Sequence, residues 1–222
     1  MSEEEKPLYS NYLTCNVTLV GAGGIGSNLL PLIVRCGPRQ ITVWDSDIVM
    51  PVNLAAQNFK HDDIGRPKVD VVAREALAIN PSLPIVVKKR RFSARNRLDG
   101  LVIAGVDSIQ SRRTIFNAVC RQTDRVDLFI DGRLSRSSPE WVELYFIDPK
   151  KENEVEAYRE WLYADNEVGP PGPRPKQLSA HTPILLAGLL GTGLARWVHE
   201  GRHPWKVTLD ASTFTLEAYW EA

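Results

Sequence analysis

A strand, a glycine turn and a helix near the N-terminus limit this chain to a small set of folds. Val17-Thr18-Leu19-Val20 is an apolar run that leads directly into Gly21, Gly23, Gly24 and Gly26, and Ser27-Asn28-Leu29-Leu30 opens a helix. Glycine lets backbone approach a ligand closely, and the first N–H groups of a helix have no intrahelical partner, so such a unit suits the phosphates of a nucleotide. A second strand, Gln40 to Trp44, ends at Asp45. That acid lies about twenty residues past the glycines, where a carboxylate can bind ribose hydroxyls.

The rest of the first half alternates in the same way. Gly37-Pro38 stops a helix running from about Gly24 to Cys36, and Pro67 suits the first position of a helix ending near Asn80-Pro81. Pro84 to Lys89 reads as a strand. Leu101-Val102-Ile103-Ala104 is a continuous apolar run, as expected of a strand buried on both faces of a parallel sheet. A helix follows from about Ser108 to Gln122, then a strand at Leu128-Phe129-Ile130. The pattern predicts an α/β fold, a Rossmann-like, doubly wound, mostly parallel sheet with helices on both faces.

Later the rhythm changes. Trp141 to Ile147 reads as a strand, His181 to Val198 as a helix with an apolar stripe of Leu185, Leu189, Leu190, Leu194 and Trp197, and Lys206–Leu209 with Phe214–Tyr219 as a closing hairpin. The glycines of that helix (Gly188, Gly191, Gly193) predict close backbone packing. Residues 1–12 read as a loose arm. Residues 164–176 hold four prolines and two glycines, so a mobile crossover loop is expected over 164–180. With 222 residues, one large domain over 1–222 is the natural reading.

Composition excludes several classes. Cations and carboxylates balance at 27 each, so no whole-chain field favours nucleic acid or acidic membranes as partners. Cys15, Cys36 and Cys120 are too few and scattered for a disulfide framework, and no apolar run approaches a membrane span. A soluble, cytoplasmic protein in a reducing compartment is expected.

Sharper discrimination comes after the second strand, from Asp45-Ser46-Asp47, then Asn53-Leu54, Gln57 and Ile64-Gly65-Arg66-Pro67-Lys68. A dehydrogenase needs only the first acid. A second acid, two amides and a lysine at a helix start suit a triphosphate, with Lys68 as a mobile point charge and the acids for ribose and metal. On spacing alone, Lys68 and Asn53 as solvated surface residues remains an open alternative. In either reading, Lys68 is expected to be exposed.

These segments resemble the ThiF/MoeB/HesA family, the adenylation fold of ubiquitin-activating enzymes. The likeness rests on Gly21-Ala-Gly-Gly-Ile-Gly26, Asp45-x-Asp47-x-Val49-x-x-x-Asn53-Leu-x-x-Gln57, Ile64-Gly-x-Pro-Lys68, and Asp107-Ser-x-x-x-Arg112 with Asn117-x-x-Cys120. It covers residues 15 to about 133 well and the remainder loosely. The resemblance implies ATP and Mg²⁺ as cofactors and adenylylation of the C-terminal carboxylate of a small ubiquitin-like protein or peptide. By similarity Gly21, Gly23, Gly24 and Gly26 admit the phosphates, Asp45 binds ribose, Asp47 joins that cluster, and Asn53, Gln57 and Lys68 contact phosphate. Asp107 holds Mg²⁺ and Arg112 is structural. Lys68 and Asp107 are thus the residues implied in catalysis. The family usually dimerises through late helices, which implies a homodimer or a heterodimer with a paralogue.

The chain departs from that family in three places. Arginine usually precedes the glutamine, whereas here Ala56 does; a lost charge-assisted phosphate contact costs roughly 1.5–3 kcal/mol, or about 10- to 100-fold in rate. Arg66 or a partner chain could compensate. The paired Cys-x-x-Cys motifs of many relatives are absent, so no structural zinc is expected. Finally, no cysteine follows Cys120, so the chain is expected to form no thioester of its own. Cys120 itself, between apolar neighbours Phe116 and Val119, reads as core.

Two other readings stay in play. One is a catalytically impaired subunit that keeps the fold and pairs with an active paralogue; the other is a nicotinamide-dependent dehydrogenase, against which the Asn53/Gln57/Lys68 set argues. His61, His181, His199 and His203 have no metal-ligand spacing and read as surface or capping residues. Lys88-Lys89-Arg90-Arg91 is either a solvated strand end or a dock for an acidic partner.

Overall fold

The computed structural model describes residues 12–134, 140–164 and 180–222. The expected arm (1–12) and crossover loop (164–180) therefore fall almost wholly outside the described residues. Eight strands form one sheet: β1 (Asn16–Val20), β2 (Gln40–Trp44), β3 (Ile85–Lys88), β4 (Gly100–Ala104), β5 (Val126–Leu134), β6 (Trp141–Ile147), β7 (Lys206–Asp210) and β8 (Thr215–Tyr219). Their order is β3-β2-β1-β4-β5-β6-β7-β8. The first five run parallel, and β6, β7 and β8 add on antiparallel.

Helices cover both faces. α1 (Gly24–Arg35), α2 (Lys68–Ile79) and α5 (His181–Glu200) lie on one, with Leu29, Ile33, Val72, Leu190 and Leu194 packed against Leu19, Val43 and Leu144. α3 (Ile109–Cys120) and α4 (Glu152–Ala164) lie on the other, where Phe116, Tyr158 and Leu162 meet Val102, Phe129 and Tyr145. β4, the switch-point neighbour of β1, is buried at all five residues. That explains its unbroken apolar sequence, since neither face meets water. The predicted doubly wound α/β fold is the one observed.

Three details differ from the sequence expectation. α4 escaped the sequence reading because its charged residues mask the stripe of Glu154, Tyr158 and Leu162, buried at four-residue spacing. The inward stripe of α5 carries Leu186, Leu190 and Leu194, while Leu185 is 42% exposed. Of its glycines, Gly191 and Gly193 pack closely: a Cβ would come within 2.9 Å of Leu32 and 2.3 Å of the Phe146 ring. Gly188 has open space instead.

Only a loop, residues 89–99, joins β3 to β4 where a crossover helix would be usual. It carries Phe92 and Leu98 onto the α3 side of the sheet.

Candidate nucleotide site

The glycine turn emerges between β2 and β4, where the chain winds off in opposite directions, the usual place for a ligand crevice in an open α/β sheet. The four glycines divide into two pairs. Gly21 has φ +100°, and a Cβ there would lie 2.6 Å from the Gly105 carbonyl oxygen. At Gly26 a Cβ would come 1.9 Å from the Gly21 oxygen. These two let the turn fold onto itself and onto the residue after β4, a packing role that the sequence reading did not assign them. Gly23 and Gly24 are partly exposed and uncrowded: a Cβ on Gly23 would meet only Gln57 Nε2, at 4.0 Å, and one on Gly24 would touch the Ala56 oxygen, Leu134 and Pro183, each at 3.8 Å. Gly23 is the N-cap of α1 and offers no side chain to its first-turn N–H groups, which leaves those donors for an anion.

Asp45 closes the turn from the neighbouring strand. One carboxylate oxygen accepts from Ala22 N at 2.7 Å and the other from Asp47 N at 2.8 Å. Burial pushes its carboxyl above the usual range, against the pull of those backbone donors and of Lys68. Each oxygen keeps a free lone pair, so Asp45 can still accept from a ribose hydroxyl.

Lys68 differs from its expected setting. It is 6% exposed, and its Nζ lies 3.2 Å from Asp47 Oδ2, while its own N–H donates to the Asp47 carbonyl at 2.9 Å. Pro67 as N-cap turns α2 inward under the Asp45–Val49 segment, tied there by the Ile48–Pro67 bridge and Val49 N to Arg66 O at 2.9 Å. The lysine is held, not mobile, and Asp47 serves as its counter-ion.

Asn53 caps its own 3-10 turn (Pro51–Ala55), accepting from Met50 N at 2.8 Å through Oδ1. Gln57 lies beside Gly23, and its Oε1 is buried with no hydrogen-bond partner among the described residues. An orphaned buried amide oxygen costs about 1–3 kcal/mol, as expected of a group placed for a ligand rather than for the fold.

Sequence reasoning passed over the residues that fasten this loop. Asn28 Nδ2 donates to the Ala56 oxygen at 3.3 Å and to the Gly24 oxygen at 2.7 Å, and Asn58 N donates to Ser27 Oγ at 3.0 Å. Two adjacent polar residues in the first turn of an otherwise apolar helix were the available signal.

Asp107 follows β4 and is exposed, just before Ser108, whose hydroxyl caps α3 by accepting from Ser111 N at 3.1 Å. Arg112 fixes this segment, donating to the Val106 and Gly132 carbonyls and forming an ion pair with Asp131. Tyr158 of α4 donates to the second Asp131 oxygen at 2.8 Å. Asp131 is fully buried, and burial raises its carboxyl above the ordinary value despite Arg112. The structural reading of Arg112 thus has a definite geometry, and Tyr158 and Asp131 join it.

Adjacent strands therefore deliver Asp45, the glycine turn and Asp107 to one edge of the sheet, about 4.8 Å per strand. No group of three or more potential metal ligands exists among the described residues; a single carboxylate supplemented by phosphate oxygens is the usual mode for Mg²⁺. No described helix is long and apolar enough to cross a membrane.

Cys120 is half-buried at the end of α3, on the far side of the sheet from the turn, rather than deep in the core. Burial raises its thiol pKa, which keeps it protonated near neutrality. Cys120→Ser is expected to leave nucleotide binding unchanged and to shift the urea midpoint only slightly; a reducible conjugate trapped on Cys120 would contradict this.

The sheet order and the turn at its switch point define a Rossmann-like α/β protein. The defining pattern of the ThiF family matches residues 4–202, and the chain belongs to that family. Relatives include ubiquitin-like modifier-activating enzyme 5 of Oryza sativa subsp. japonica, 25% identical over 132 residues, or 51% of this chain and 31% of that protein. Human ubiquitin-like modifier-activating enzyme 7 is 34% identical over 128 residues, 50% of this chain and 12% of that one. The chain thus spans about a third or less of these relatives. Among solved structures, PaaA superposes with a TM-score of 0.72 at 15% identity, covering 96% of this chain and 66% of the other. E. coli MccB with ATP gives 0.70 at 17%, covering 97% and 66%. At such identities the likeness concerns the fold.

Proposed function

We propose that this chain uses ATP and Mg²⁺ to adenylylate the C-terminal carboxylate of a small ubiquitin-like protein or a peptide, and forms no thioester itself. The observation that carries the reading is that the α1 N-terminus at Gly23–Gly24, the Gln57 amide oxygen with no partner among the described residues, buried Lys68 and Asp45 gather at the carboxyl ends of β1 and β2. Membership of the ThiF family, relatives named as ubiquitin-like modifier-activating enzymes, and a structural neighbour solved with ATP support it.

The residues fit the ligand. Gly23 leaves room that a Cβ would fill, beside an amide with an unused oxygen. Asp45 would take the ribose, the α1 N–H groups, Gln57 and Asn53 the polyphosphate, and Lys68 the charge that develops on it. Magnesium held at Asp107 would neutralise the pyrophosphate leaving group. A carboxylate is already nucleophilic, so the protein supplies alignment and charge rather than a base: one carboxylate oxygen bonds to the α-phosphorus, the bond to the β-phosphate oxygen breaks, and pyrophosphate departs. Residues 121–222 contain no cysteine, which supports transfer of the acyl-adenylate to a separate acceptor.

The competing reading, an impaired subunit paired with an active paralogue, draws on Ala56, whose carbonyl is occupied by Asn28 and whose methyl carries no charge. Pyrophosphate exchange dependent on a ubiquitin-like substrate separates the two. Exchange with ATP and Mg²⁺ is the expected result. Its absence, with tight binding to a paralogous chain, would establish the scaffold instead. Tryptophan fluorescence should respond to ATP and not to NADH; the reverse would restore the dehydrogenase.

A further inference from the structure

We infer that the β3–β4 loop is a docking surface for an acidic segment of a partner protein. Residues 88–97 carry six of the chain's 27 cations and none of its 27 carboxylates, so the remainder of the chain is net −6. The loop starts at β3, the outermost strand, and crosses the α3 side of the sheet to β4, so these cations all lie on one connection.

The loop is fastened by hydrogen bonds. Ser93 N donates to Asn96 Oδ1 at 2.8 Å, Asn96 N to the Ser93 oxygen at 2.9 Å, and the two residues that follow α3 hold the loop: Arg121 donates to the Ala94 oxygen at 2.9 Å, and Gln122 donates to the Asn96 oxygen at 3.1 Å and accepts from Leu98 N at 3.0 Å. Lys88 and Arg90 lie over the Trp44 ring at 5.9 and 5.3 Å. Lys89 is paired with Asp70. Arg91, Arg95 and Arg97 are exposed and make no ion pair among the described residues. Cations on one short connection repel one another at a cost that an opposite charge would relieve, and a hydrogen-bonded loop loses little entropy on binding.

Two observations favour an acidic protein segment over nucleic acid. Trp44 is 5% exposed, packs edge to face with Phe92 at 5.5 Å and is covered by Lys88 and Arg90, so it offers no open face for base stacking. The net negative remainder repels a long polyanion but admits a short one. Arginine forks match carboxylates bidentately.

The test is fluorescence anisotropy of the intact chain with a labelled oligoglutamate peptide and with single-stranded DNA of equal charge. The peptide is expected to bind more tightly than the DNA. Replacing Arg91→Ser, Arg95→Ser and Arg97→Ser together should weaken it about tenfold. A control removing three exposed cations elsewhere (Lys60→Ser, Lys150→Ser, Arg202→Ser) should leave it unchanged. Tighter DNA binding would make this a nucleic-acid surface, and equal loss in the control would reduce it to bulk charge. Either result overturns the proposal, independently of any adenylylation.

Discussion

Lys68→Met should reduce pyrophosphate exchange by about 100-fold while the protein remains folded. Methionine keeps the apolar stem that fills the space beneath residues 45–49, where Lys68 is 6% exposed, and removes only the charge. The abandoned partner, Asp47, has a side chain 64% exposed and rehydrates at little cost. The structure thus alters the reason for expecting an intact fold: an exposed lysine would have been dispensable, whereas this one is buried beside a solvated counter-ion. Exchange within threefold of wild type would show that the lysine serves the Asp45–Asp47 segment alone.

The second large effect falls on stability. Arg112→Met is expected to lower the unfolding free energy by about 3–5 kcal/mol, because Asp131 remains fully buried and keeps the Tyr158 hydroxyl but loses its ion-pair partner. The sign of the pH dependence follows. Asp131 already has a raised folded-state pKa through burial, and removing Arg112 raises it further. The folded state then holds a proton that the unfolded state releases, so stability falls as pH rises through that interval, and the deficit shrinks towards pH 4. Urea midpoints at acidic and neutral pH measure this. A deficit that stays constant across that range would mean that the buried pair is not its source. The double variant Arg112→Met/Asp131→Leu should recover part of the loss, since removing both charges leaves neither unpaired.

Much of the fold was readable because its signals are local. Gly21 to Gly26, the apolar run Leu101–Ala104 and the breaks at Gly37-Pro38 and Asn80-Pro81 each act within a few residues. β1, β2 and β4 came out within a residue or so of expectation. α4 was missed because its inward residues are few and scattered among charges.

The candidate site was only half legible. Residue types and spacing named Asp45, Asp47, Lys68 and the glycines, and they set the order of strands and helices through periodicity and turn chemistry, which depend on neighbours along the chain. The fold alone decided that Gly21 and Gly26 serve packing while Gly23 and Gly24 stay partly exposed, that Lys68 is sequestered by Asp47, and that Tyr158 from α4 supports the Asp107 segment through Asp131 and Arg112. These depend on contacts between distant segments, whose distances and burial come into existence only when the sheet assembles.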